Sequence, residues 1–126
     1  MKHFLKLAIL FCVFFLTTIE SNATNWEFTW VNTTACNITV TIRDGTGATL
    51  LTTSTCCGPL TCLSNVATIE ITDNVGGLTR IYNTCGDLVN TTGTGTFCSN
   101  ANVIVSGCGP AGPTCGAGSK LLTVNI

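Results

Sequence analysis

Chemistry in this chain would have to come chiefly from cysteine. Cys56-Cys57-Gly58-Pro59-Leu60-Thr61-Cys62 puts three cysteines in seven residues around a Gly-Pro turn. Thiolates at that density can hold zinc or run thiol–disulfide exchange, and both uses favour C-x-x-C spacing. No C-x-x-C occurs in the chain, so the cluster reads as a staple, and neither a metal nor another cofactor is expected. The single histidine, His3, lies in a segment read below as a leader. Without an imidazole the rest of the chain lacks Ser-His-Asp and Cys-His catalysis and histidine-ligated zinc or haem.

Carboxylates offer little more. Glu27, Asp44, Glu70, Asp73 and Asp87 could supply a glycosidase pair. Asp44 and Asp73 precede glycines and read as turn residues, while Glu27 and Glu70 alternate with apolar neighbours and read as outward strand positions. No catalytic residue is assigned, and the chain is expected not to be an enzyme.

Two surfaces remain for binding. Trp26, Phe28 and Trp30 share one face of an extended segment. Turned outward they would form a sugar-stacking platform or an assembly edge; turned inward they are the core face of a first strand. Lying so near the N-terminus, that strand could instead complete the sheet of a neighbouring subunit. Thr92, Thr94 and Thr96 form one row of the kind that binds ice.

The elements that would position these residues begin after an apparent leader. Lys2, His3 and Lys6 precede an apolar run from Leu7 to Leu16 and a polar segment ending Ser21-Asn22-Ala23. This is the pattern of a secretory signal peptide, 1–23, removed after Ala23, and the run is too short to span a bilayer. No stable membrane insertion is expected after cleavage. What remains, 24–126, is about a hundred residues, enough for one domain.

Of the 9 cysteines, Cys12 leaves with the leader, and Cys36, Cys56, Cys57, Cys62, Cys85, Cys98, Cys108 and Cys115 remain. An even set in a short exported chain predicts disulfides formed outside the cell or in a periplasm. A three-residue Gly45-Thr46-Gly47 loop would set Cys36 across from Cys56. Local closures Cys57–Cys62 and Cys108–Cys115 would follow, with Cys85–Cys98 left over; the rival set joins Cys62–Cys85 and Cys57–Cys98. The adjacent pair, if extended, would point to opposite faces and need separate partners. Charges are sparse and net −1 overall, so no basic patch for nucleic acid is present.

Strand signals dominate. Cys36, Ile38, Val40 and Ile42 alternate with Asn37, Thr39, Thr41 and Arg43. Further strands are expected at 26–31, 48–55, 66–72, 78–83, 94–97, 102–106 and 120–126, with hairpin turns at Asp44–Gly47 and Asp73–Gly77. The expected fold is all-β: a disulfide-stapled, immunoglobulin-like β-sandwich of seven or eight short antiparallel strands. The expected role is a secreted structural or surface-interaction protein: an adhesin-like module, matrix component or fibre subunit. Self-assembly through the N-terminal strand, or a surface glycan or protein, would supply the partner. A small carbohydrate-binding module using Trp26 and Trp30 is the alternative, and an inhibitor or toxin presenting the loop Gly109–Gly118 is a third.

Overall fold

The computed structural model describes residues 25–57, 60–99, 101–108, 114–116 and 118–126. The expected leader and most of the Gly109–Gly118 loop lie outside them. Nine strands form among the described residues: β1 (Asn25–Val31), β2 (Ile38–Asp44), β3 (Thr49–Thr53), β4 (Thr61–Ser64), β5 (Val66–Asp73), β6 (Thr79–Asn83), β7 (Leu88–Thr92), β8 (Ile104–Ser106) and β9 (Lys120–Asn125). They make two sheets, one ordered β4-β1-β9-β8 and the other β3-β2-β5-β6-β7. The fold is all-β, and no helix forms among the described residues.

Period-two alternation drives the packing. Ile38, Val40 and Ile42 of β2 and Ile69 and Ile71 of β5 are buried, while Thr39, Thr41, Thr68 and Thr72 turn outward. The pairing of β2 with β5 shifts between Arg43 and Asp44, so that Arg43 faces Thr68 and Asp44 faces Val66. This bulge over Ala67 returns Val66 to the core. From the opposite sheet Trp26, Phe28, Trp30, Leu122 and Val124 meet the same core. Each such burial contributes about 1.5–3 kcal/mol.

Turns are built alike. Asp44 Oδ1 accepts from Thr46 N at 2.9 Å, from Thr46 Oγ1 at 2.7 Å and from Ala48 N at 3.0 Å. Asn83 Oδ1 accepts from Cys85 N at 3.0 Å and Asp87 N at 2.9 Å, repeating the i+2 and i+4 pattern. Asp73 Oδ1 takes Val75 N at 2.9 Å. At the two aspartates these bonds favour the charged form. Asp44 lies below the ordinary carboxylate range, first through the Thr46 hydroxyl, and Asp73 through the backbone N–H groups of Gly76, Val75 and Cys98.

Three expectations are corrected. Strands β4 and β7 carry no signal in the sequence, which points instead to a strand at 94–97; there only Thr96 bridges, to Gly77. The row Thr92, Thr94, Thr96 is therefore not one strand face, since β7 ends at Thr92. Finally, the sheets are not wholly antiparallel: β1 runs parallel to β9, from Trp26 beside Lys120 to Val31 beside Asn125. Turn signals report only sequence neighbours, whereas this pair joins the two ends of the domain.

Candidate assembly site: the N-terminal strand and its disulfide frame

Strand β1 lies inside its sheet, antiparallel to β4 on one side and parallel to β9 on the other. Its ladder continues past the last strand, with Ile126 N donating to Val31 O at 2.9 Å and Thr33 N to Ile126 O at 2.8 Å. Trp26, Phe28 and Trp30 are only 5%, 2% and 5% exposed. Their rings face the core, so these residues present no stacking platform to solvent. The apolar face had to be covered, and the second sheet covers it. Lys120 adds a cation over the Trp26 ring, 5.3 Å from its centre.

The outward face of β1 carries a residue that sequence reasoning undervalued. Glu27 points away from the core yet is 2% exposed. Its Oε1 accepts the backbone N–H of Cys115 at 2.8 Å, and Cys115 is bonded to Cys62, the residue opposite Glu27 on β4. The bridge thus holds Cys115 over the middle of β1. Asn25 Nδ2 reaches Cys115 O at 3.5 Å and completes the clasp. Only its place opposite a cysteine could have signalled this, and that register is not legible locally.

All eight of these cysteines are paired, as Cys36–Cys98, Cys56–Cys57, Cys62–Cys115 and Cys85–Cys108. Four disulfides are typical of exported proteins. None of the expected pairings forms. The Cys36–Cys56 expectation fails on register: Ile42 faces Leu51 but Arg43 faces Thr49, a one-residue shift that displaces every pair beyond it. Cys62–Cys85 fails because β4 belongs to the other sheet; the chain changes sheets at Asn65, whose φ is 59°. Cys57 has φ 63°, so the adjacent cysteines are not extended and do not diverge.

This frame runs from Cys36 to Cys115, leaving β1 before it and β9 after it. Residues 32–37 connect β1 to β2. Within them Asn32 Nδ2 donates to Cys36 O at 2.9 Å, and Asn32 Oδ1 accepts from Thr34 N at 2.9 Å. Asn32 N donates to Cys56 Sγ at 3.0 Å. Beside the β1 aromatics, a recess of about 100 Å³ opens between Phe28, Trp30, Leu51, Thr53 and Thr61.

Two further carboxylates, Glu70 and Asp87, are engaged in structure. Glu70 Oε1 accepts from Arg43 Nε across β2 and β5 at 2.7 Å, which raises the Arg43 pKa through that hydrogen bond and the attraction of the two charges. Asp87 accepts from Asn83 Nδ2 at 2.9 Å. An open groove of about 670 Å³ lies along Cys36–Cys98, Asp73, Val75 and Phe97, with Arg80 stacked 4.1 Å from the centre of the Phe97 ring. No family model, no curated protein and no solved structure matches the chain.

Proposed function

We propose that this chain is an exported, non-enzymatic structural protein, a subunit that joins others by exchanging strand β1 between copies. One observation carries the reading. β1 supplies three core aromatics at the centre of a sheet, yet it precedes Cys36 and so lies outside every disulfide loop. A strand with much apolar surface and no covalent tie can be donated to a neighbour at little net cost, because the burial given up in one copy is recovered in the next. The frame from Cys36 to Cys115 keeps the acceptor in shape while its slot is empty.

The engagement of the carboxylates in turns, an ion pair and the Cys115 clasp supports a non-enzymatic role. We read the architecture as immunoglobulin-like, with the chain crossing between sheets before β2, β4, β5 and β8. Heterologous exchange of this kind generates open filaments where the rotation does not close. Electron microscopy and light scattering of the mature protein test the proposal, with polymers expected. Deleting 24–32 is expected to give a non-polymerising acceptor that a synthetic 24–32 peptide restores to a stable fold. Strict monomers at every concentration, with no exchange between labelled populations, would overturn it.

A further inference from the structure

Three of the four bridges join residues 62, 53 and 23 apart in sequence, while Cys56 and Cys57 are 1 apart. A bridge stabilises a fold chiefly by closing a loop in the unfolded chain, and the benefit grows with loop length. Closing a ring between neighbours restrains almost nothing, so stability does not account for this pair. Its cost is inherent in adjacency. Consecutive Cα atoms across a trans peptide stand about 3.8 Å apart, short of the roughly 4.4–6.8 Å that relaxed bridges span, and bridges outside that range are more easily reduced. Access adds to this, since Cys57 is exposed at the turn and Cys56 is half-buried.

Position then links the pair to β1. Cys56 Sγ accepts the N–H of Asn32 at 3.0 Å, the first residue beyond the end of β1 at Val31. An intact ring fixes that acceptor against the connection between β1 and the frame. An opened ring frees the Cys56 side chain to rotate away.

We infer that Cys56–Cys57 is a thiol–disulfide exchange site, opened by a dithiol while the other three bridges stay closed, and that its state sets how firmly β1 is held at Asn32. A thiolate of the dithiol attacks Cys57 Sγ, the Sγ–Sγ bond breaks, and Cys56 departs as a thiolate that takes up a proton. The second thiolate of the reagent then attacks the mixed disulfide and releases Cys57, which is protonated in turn. The net change is two electrons and two protons to the protein and one disulfide in the reagent. The site stands without the strand-exchange reading; its consequence for β1 assembly rests on that reading.

Titration of the mature protein with dithiothreitol, followed by alkylation and peptide mapping, tests the first half. Cys56 and Cys57 are expected to be labelled at a dithiothreitol concentration about tenfold below that needed for any other cysteine. Labelling of the other six first or together, or bridges from Cys56 or Cys57 to another cysteine or a second chain, would overturn it. For the second half, amide exchange is compared between the native protein and the double variant Cys56→Ala with Cys57→Ala, which removes the acceptor of the Asn32 N–H. Loss of one hydrogen bond predicts exchange about two- to tenfold faster at Asn32 and along β1. Unchanged exchange there would overturn the coupling. If the order of reduction holds but no filaments form under either redox condition, the assembly proposal fails while the exchange site stands.

Discussion

Glu27 Oε1 accepts the backbone N–H of Cys115 at 2.8 Å, although the two residues are 88 apart in sequence. The carboxylate is buried on the outward face of β1, beneath Cys115, which its bridge to Cys62 holds there. A glutamate with the sequence pattern of a solvated strand position is the peg on which Cys115 hangs.

Replacing that peg separates hydrogen bonding from charge. Glu27→Ala leaves the Cys115 N–H without its acceptor and is expected to lower stability by about 1–3 kcal/mol in urea unfolding. Glu27→Gln keeps an acceptor oxygen of similar reach and is expected to cost less than half as much. Equal losses for both variants would mean that charge, not the hydrogen bond, holds Cys115.

The aspartate turns set the acid response. Asp44 and Asp73 titrate lower in the folded chain, held by the Thr46 hydroxyl and by the N–H groups of Gly76 and Val75 respectively. The folded state therefore binds fewer protons than the unfolded chain near the ordinary Asp range, about pH 4. Their stabilisation is present above that range and is lost as pH falls through the folded values. The third turn shows what a neutral substitute does, since Asn83 makes the same bonds to Cys85 N and Asp87 N. The double variant Asp44→Asn with Asp73→Asn is expected to lose stability less steeply below about pH 4 than the native protein. Urea midpoints from about pH 7 to about pH 2 measure this, and an identical or steeper acid limb would contradict it.

Much of the fold is legible in the sequence where a strand is half-buried. β2 and β5 alternate because one face meets the core and the other meets water, and that contrast is written in Ile, Val and Thr. β7 is invisible to the same reasoning: Leu88, Val89, Asn90, Thr91 and Thr92 are all exposed at a sheet edge, so no period distinguishes them. β4 is only 4 residues long, too short for a period to emerge. The aromatic strip stands out in the sequence, but its direction depends on which sheet covers it, a non-local fact. Cysteine pairing fails for a smaller cause: one bulge between Ile42 and Arg43 shifts the register by one residue and removes Cys56 from its expected partner.

That same topology predicts an order among the bridges. Cys62–Cys115 encloses a separation of 53 residues and Cys85–Cys108 one of 23. On chain entropy alone, removing the first costs about 4 kcal/mol and the second about 3 kcal/mol. The first removal also releases Cys115 from its place over Glu27, so its cost should exceed the entropic figure. Glu27→Ala added to it should then cost little more, because both changes undo one clasp. Removing Cys56–Cys57 should cost least of the three, about 1 kcal/mol, the value of the one hydrogen bond from Asn32 N that Cys56 accepts. Urea unfolding of the three paired Cys→Ala variants, and of the first combined with Glu27→Ala, checks the order. Full additivity of Glu27→Ala with loss of Cys62–Cys115 would show that the carboxylate and the bridge act on β1 independently.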